Sequence, residues 1–580
     1  MTLSPPDRPN IVLLTLDAIR ADRSSARGYA YRTTPNIDRL LRHAHQPATS
    51  YAISPSTFGS FPSLMTSTRP LSYGGFDHGI ANRPESLTAL LRAGGYRTTH
   101  ITTVHWANSF FGYDAETEEL LIEPSTLANT LGIIAGRQIS TWEARQGDAA
   151  ELRARLAPVI GLFFDKMECY CRTRLNDRRD FRRTNNRFDH QHYRWPAVIE
   201  ALAALEARWQ ADPAGFIDTI LSNVRAGDPW LKALNWRRLR TAADLAETLL
   251  GEAVFGLAGR ISPRLRDPWT FRRKKFPDAE TVVDRVLLAA DSAKDDSRPF
   301  FVWGHLFDAH LPYCAGLGKG WAADTRRWLV AVGHDPRTDP YAGHRAAPRS
   351  PEDWLAWNAL YDAAIGFIDH QVGRLKAELA ARGLGDTIIA LTSDHGEEMG
   401  EHGDTGHKFR LYEHNTRTFT VIHHPDLGEA TTPGLCTLMD VAPTIADMVG
   451  LPPPPAWEGL PYRDLHADPR REIVLETFFG SPCDFENRPI YFASRRDDLK
   501  LIWTERVDSH DRLGKPGPQL FDLAKDPQEQ HNLAAERLDD VERLMAPILE
   551  RRAALPGPGR AGSTLTPQPL ARPASALADA

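Results

Sequence analysis

Ile11-Val-Leu-Leu-Thr-Leu16, closed by Asp17, is the stretch whose reading decides the fold. An almost wholly apolar run with no polar alternation is the signature of a strand buried on both faces, as in a parallel sheet. The same grammar returns in Arg298-Pro-Phe-Phe-Val-Trp303 and Asp386-Thr-Ile-Ile-Ala-Leu-Thr392. Helical patterns lie between. Thr34-Pro-Asn-Ile-Asp-Arg-Leu40 opens with Pro35 in its first turn, and Ser86 to Ala93 is stopped by Gly94-Gly95 before Tyr96 to Val104 resumes as a strand. Trp354 to Arg382 reads as one long amphipathic helix. Alternation of this kind predicts an α/β fold with a mostly parallel central sheet covered by helices on both sides. Polar residues just after strand C-termini line the ligand crevice of such sheets. Asp17 and Ser393-Asp394-His395 occupy such positions.

Residues 118–278 break the rhythm: they are helical in pattern, rich in Arg and Trp, and poor in buried-strand candidates. They read as a helical insertion or lid that splits a catalytic α/β domain into 1–117 and 279–465. A small C-terminal α+β subdomain is expected over 466–552, and the Pro/Ala/Gly/Ser-rich 553–580 has little to bury and reads as a disordered tail. Within the insertion, Arg172 to Arg194 holds eight Arg and three Asp, a solvated face or a basic rim that gathers an anionic substrate. Thr241 to Arg260 has an apolar side that suits core packing and, with less support, peripheral membrane contact.

Composition excludes several classes. Lys+Arg 69 against Asp+Glu 75 leaves a formal charge of −6, so no nucleic-acid partner is expected. Five Cys without CxxC pairs argue against a disulfide framework or a thiolate zinc site. The opening residues lack a cationic region leading into a long apolar run, and no later run approaches the roughly 20 residues that span a bilayer. A cytoplasmic enzyme is the expectation; the oligomeric state is not readable.

Three separated elements carry the chemistry: Asp17, the hydroxyl-rich Ser54-Pro-Ser-Thr-Phe-Gly-Ser-Phe-Pro-Ser-Leu-Met-Thr66, and Ser393-Asp-His-Gly-Glu-Glu-Met-Gly-Glu-His402. Two carboxylates, an imidazole and a hydroxyl suit a borderline-hard divalent cation, which lowers the pKa of a bound hydroxyl and makes a nucleophile at neutral pH. Each element alone has an ordinary reading as a cap or turn; together they make one candidate site.

In order along the chain, these segments resemble the sulfatase branch of the alkaline phosphatase superfamily. Arg8-Pro-Asn-Ile-Val-Leu-Leu-Thr-Leu-Asp17 is similar to its opening and Thr34-Pro-Asn-Ile-Asp-Arg-Leu to its next motif. Trp303-Gly-His-Leu-Phe-Asp-Ala-His310 resembles its mid-chain histidine motif, and Ser393-Asp-His-Gly-Glu through Leu411-Tyr-Glu-His-Asn-Thr-Arg417 its late metal motif. Asp440-Val-Ala-Pro-Thr and Leu520-Phe-Asp-Leu-Ala-Lys-Asp-Pro-Gln-Glu-Gln-His-Asn-Leu resemble its C-terminal landmarks. The resemblance implies an alkaline-phosphatase-like sandwich, with Asp17, Thr57, Asp394 and His395 as ligands of one divalent cation, Mn or Ca ahead of Zn or Mg. His310 then contacts the transferred group, with His305 and Asp308 as supports, and His407 and Lys408 both fit the cationic contact.

One departure matters. Family sulfatases carry Cys or Ser, converted to formylglycine, in C/S-x-P-S-R. Aligned on Ser60 and Thr66, this chain has Thr57, Gly59 and Phe61 in place of the Cys, Pro and Arg. Formylglycine is therefore not expected, and Thr57 is the expected nucleophile, with Ser56 and Ser60 its competitors. Formylglycine hydrate expels sulfate by collapsing to an aldehyde, whereas a Thr ester needs a second attack on the transferred group, which phosphoryl groups tolerate. The expectation is a metal-dependent hydrolase or transferase of anionic phosphate or sulfate esters. A sulfuric ester hydrolase and a catalytically dead binding protein on the same fold are the alternatives.

Overall fold

The computed structural model describes residues 8–75, 79–121, 135, 139, 148–176, 194–224, 277–293, 296–311, 313, 329–335, 350–407, 409–478, 490–505, 507 and 513–555. The Arg172–Arg194 rim (its backbone described only at 172–176 and 194), the Thr241–Arg260 pattern, the tail from Pro556 and Lys408 lie outside the described residues or outside their described side chains.

Ile11–Leu16 is β1, and every one of its six residues is buried. It lies at the centre of a nine-stranded sheet with β2 (Ala44–Tyr51), β3 (Arg97–Thr102), β4 (Thr117–Leu120), β5 (Phe300–Leu306) and β6 (Ile388–Ser393). Beyond a two-stranded hairpin of β7 (Glu398–Met399) and β8 (Thr405–Gly406), the main sheet is completed by β9 (Arg417–Thr418), β10 (Thr420–His423) and β11 (Ala430–Thr437). The spatial order is β11-β2-β10-β6-β1-β5-β3-β4, with β9 paired to β2. β10 and β9 run antiparallel to their neighbours and the other pairings are parallel. The fold class is thus as expected. The edge strand β4 straddles the 117/118 boundary drawn from the pattern.

Helices cover both faces. One apolar layer joins Leu13, Phe61, Leu64, Leu91, Trp303 and Ile445; the opposite layer joins Leu14, Val282, Val286, Ile365 and Val372. α1 (Pro35–Leu40) is clamped by Asp369, whose carboxylate accepts the Asn36 and Ile37 backbone N–H groups at 2.9 and 2.8 Å. That carboxylate belongs to the 31-residue helix Pro351–Ala381, which opens with a reciprocal Ser350/Asp353 capping box. The described part of the 118–278 stretch contributes Ala149–Asn176, Trp195–Ala211 and Pro213–Val224, all helical. A four-stranded antiparallel sheet, β12 (Ile473–Phe478), β13 (Ile490–Arg496), β14 (Leu499–Thr504) and β15 (Gly517–Asp522), packs with the helix Leu538–Ala554. No helix among the described residues is long and apolar enough to cross a membrane.

Candidate active site

Strand register builds the site. In the β1–β6 pair Leu16 lies opposite Ser393, so Asp17 and Asp394 leave the sheet side by side. Both are fully buried. Ala18, next in the chain, has φ 57°, a left-handed backbone that turns its N–H onto Asp394 Oδ1 at 3.1 Å. The Tyr361 hydroxyl fixes the same turn, donating to Ala18 O at 2.6 Å and accepting from Arg20 N at 2.9 Å.

Thr57 enters from the first turn of α2 (Thr57–Thr66). Its hydroxyl donates to Asp17 Oδ2 at 3.3 Å and lies 3.1 Å from His395 Nε2. The two competing hydroxyls sit elsewhere: Ser60 Oγ donates to Ser54 O at 2.8 Å, and Ser56 Oγ faces Ser54 Oγ at 3.4 Å. Gly59 has a local reason. A Cβ there would fall 2.2 Å from Ser54 Oγ, so the proline of the family pattern does not fit this loop as packed.

Tautomers sort the two histidines nearest Asp17. His395 Nδ1 lies 2.8 Å from Gly396 O, which only accepts, so Nδ1 carries the proton and Nε2 presents its lone pair. That Nε2 is 3.5 Å from Asp394 Oδ2 and 3.9 Å from Asp17 Oδ1. His305 is the reverse. Trp303 Nε1 donates to Thr15 Oγ1 at 3.1 Å, leaving the Thr15 hydroxyl proton for His305 Nδ1 at 2.9 Å. His305 Nε2–H then donates to Asp17 Oδ2 at 3.0 Å. Asp17, His305 and Asp394 have donor atoms within 4.8 Å of one another, but His305 spends its Nε2 proton orienting Asp17. His395, by contrast, keeps its Nε2 lone pair on the side of the two carboxylates.

Two buried carboxylate oxygens, Asp17 Oδ1 and Asp394 Oδ2, have no hydrogen-bond partner. Buried polar atoms are nearly always satisfied, so orphan oxygens beside a free imidazole lone pair fit a divalent cation. The electrostatics agree. Burial by itself raises the Asp17 carboxyl, but His310, His305 and His395 together hold it well below the carboxylate range. Asp394 is held above its ordinary value by burial, with Asp17's charge adding to the effect and His395 opposing it. Burial also pushes His395 down, keeping it neutral. Because burial and the Asp17 charge favour the protonated form of Asp394, a cation held by that carboxylate would compete with a proton, and its affinity would fall as pH falls. Calorimetric titration at pH 5 is expected to give binding at least about tenfold weaker than at pH 7; equal affinity at both would remove Asp394 from the ligand set.

His310 Nδ1 donates to Leu311 O at 2.6 Å and its ring stacks on Phe307 at 4.2 Å. Its outer edge meets His407, ring centroids 4.9 Å apart, and His407 in turn lies 4.0 Å from the His395 ring. His407 Nδ1 is 3.3 Å from Glu397 Oε1. The structure thus gathers Asp17, Thr57, His310, Asp394, His395 and His407; Lys408 is not described. Glu397 was not singled out in the sequence. Fully buried, its carboxyl is pushed up to about 8 by burial, with His310 and His395 opposing. Its position two residues after His395 was the only available signal.

The Sulfatase family profile matches residues 9–129 and 228–451. The chain belongs to the sulfatase family. Within that family it is 30% identical over 568 residues to an arylsulfatase of Clostridium perfringens, covering 94% of this chain and 95% of that one. It is 29% identical over 298 residues, 45% of this chain and 56% of the relative, to a multifunctional alkaline phosphatase superfamily protein of Trinickia caryophylli. The phosphonate monoester hydrolase of Agrobacterium radiobacter shares the fold, with a TM-score of 0.53 and 16% identity over 94% of this chain and 96% of that one. The sulfatase profile reaches into residues 228–278, part of the stretch that sequence pattern assigned to the insertion, and leaves 130–227 unmatched.

Proposed function

We propose that this sulfatase-family chain is a metal-dependent hydrolase of phosphoester or phosphonate bonds that uses Thr57 as an unmodified nucleophile. The observation that carries this reading is the Thr57 hydroxyl, held 3.3 Å from Asp17 Oδ2 and 3.1 Å from His395 Nε2 at a position where formylglycine has no Cys or Ser precursor. Asp17, Asp394, His395 and Thr57 would hold one divalent cation, which when bound lowers the hydroxyl pKa and offsets charge on the transferred group. Asp17 Oδ2 accepts the Thr57 proton and Thr57 Oγ1 attacks phosphorus. The bond from phosphorus to the leaving oxygen breaks, and His310, entering the step as the imidazolium with Nδ1–H held by Leu311 O, donates its Nε2 proton to that oxygen. Glu397 orients His407 toward the transferred oxygens, and the N-terminal turn of α2 adds its positive end to the same charge. Water then attacks phosphorus while giving a proton to His310, the Thr57–phosphorus bond breaks as Asp17 returns its proton to Thr57 Oγ1, and phosphate or phosphonate leaves.

Hydrolysis is favoured over transfer because a relative that spans nearly the whole chain is named an arylsulfatase and a solved structure of the same fold a phosphonate monoester hydrolase. Sulfate esters form the second reading, supported by the arylsulfatase relative that spans nearly the whole chain. Aryl phosphate, phosphodiester, phosphonate and sulfate substrates, each assayed with Mn, Ca, Zn and Mg, separate the two. At least one phosphorus substrate is expected to exceed the matching sulfate in kcat/KM by more than about tenfold, or roughly 1.4 kcal/mol of barrier. A sulfate turned over orders of magnitude faster than its phosphate analogue would refute the phosphoryl reading.

A further inference from the structure

A second cluster of metal-ligating side chains lies behind the catalytic loop. We propose that His402, His414 and Glu529 bind a divalent cation of the zinc class in the seam between the catalytic domain and the C-terminal sheet. One donor atom of each residue lies within 4.8 Å of those of the other two. Nε2 of His402 and Nε2 of His414 are both buried without a hydrogen-bond partner. The His414 side chain is only 5% exposed, and its nearest acidic atom, Glu398 Oε2, is 3.7 Å away, beyond hydrogen-bond reach. Core histidines normally satisfy such an atom. Two orphan imidazole nitrogens converging on one carboxylate instead match the His-His-carboxylate set that zinc takes.

The surroundings prepare the ligands. His402 stacks nearly parallel on Tyr412 at 3.7 Å and lies 5.3 Å from the His414 ring at an interplanar angle of 28°, so ring orientation is set by packing. Burial drives the His402 imidazole down to about 4, which leaves it a neutral donor at pH 7. Glu529 is anchored through Oε2, which accepts the Glu413 N–H at 2.5 Å. Its Oε1 lies 3.0 Å from Lys500 Nζ. Lys500 also reaches Glu413 Oε1 at 3.0 Å, so it keeps a carboxylate partner when Glu529 turns to a cation.

The consequence is mechanical. His414 O accepts from Glu397 N at 2.9 Å, and Asn415 O from Gly396 N at 2.9 Å. A Cβ on Gly396 would lie 2.0 Å from His414 O, so the two segments touch backbone to backbone. A cation on His402, His414 and Glu529 therefore ties the C-terminal segment to the loop that carries Asp394 and His395. Two imidazoles and one carboxylate are also softer than the oxygen-rich set around Asp17, so the two sites select different metals.

The test uses the full chain carrying Asp17→Asn and Asp394→Asn, stripped with chelator and titrated with Zn2+ and then Co2+. One equivalent of Zn2+ bound more tightly than about 1 µM is expected, with visible Co2+ bands and a rise in Tm. Adding His414→Gln should weaken this binding at least about tenfold. His402→Gln, at the less buried ligand, carries the same comparison should the first variant fail to fold. Failure of the double-Asn chain to bind Zn2+ overturns the proposal, as does Zn2+ affinity untouched by the His variants.

Discussion

Thr57→Ala is expected to lower kcat by at least about 10^3-fold, or roughly 4 kcal/mol of barrier, at saturating metal and with the fold in place. A methyl group cannot form the covalent intermediate, and water would have to attack across a site shaped around a bound hydroxyl. Ser54, Ser56 and Ser60 offer no substitute, because Ser60 Oγ is committed to Ser54 O at 2.8 Å and Ser56 Oγ lies beside Ser54 Oγ at 3.4 Å. Thr57→Ser should retain measurable turnover, since it keeps the oxygen. Peptide mass spectra of the wild-type chain should show residue 57 as unmodified threonine. Full turnover in Thr57→Ala, with loss in Ser56→Ala or Ser60→Ala, would shift the nucleophile to one of those serines.

Asp394→Asn carries the other large effect. Changes to groups that merely orient ligands already cost 10- to 100-fold in metal affinity, so removal of a ligand charge should weaken binding by more than about 100-fold. Elemental analysis after gel filtration reads this directly, and Asp17→Asn should behave alike. The stability of the metal-free chain should move the other way. Two buried carboxylates meet at the ends of β1 and β6, and Asp394 is held above its usual pKa by burial and by Asp17. Asparagine removes that penalty and keeps Oδ1 for the Ala18 and His395 N–H groups, which donate at 3.1 and 2.9 Å. The Tm of stripped Asp394→Asn should therefore equal or exceed that of stripped wild type. Stoichiometric metal at the catalytic site in both Asn variants would sink the ligand assignment.

Local patterning made much of the fold legible. β1, β5 and β6 are runs that a doubly covered parallel sheet accommodates, α1 opens at Pro35 and α3 (Leu87–Ala93) after Ser86 as their sequences indicate, and the Trp354–Arg382 pattern lies in the helix Pro351–Ala381, which starts three residues earlier at a Ser350 cap. Asp17 and Asp394 were readable as candidates because each directly follows such a strand, and Thr57 because its loop aligns with a family motif. His305 was less legible. In sequence it follows the Arg298–Trp303 run as an ordinary loop histidine or a support for His310; the structure puts it on β5, where the Trp303–Thr15–His305 chain of hydrogen bonds turns it into the group that orients Asp17.

By itself, then, the sequence determined the layer architecture, the strand ends and the residue types brought to them, because burial period and capping chemistry are local properties. Partnership was decided by tertiary structure alone. Register placed Asp17 beside Asp394, a positive φ at Ala18 aimed a backbone N–H at the Asp394 carboxylate, and packing turned Nε2 of His395 toward Thr57 while tying that of His305 to Asp17. The same holds for His402, His414 and Glu529, up to 127 residues apart in the chain yet within 4.8 Å as donors. Whether a polar atom is satisfied or orphaned depends on neighbours distant in sequence, and that is settled only when the sheet is assembled.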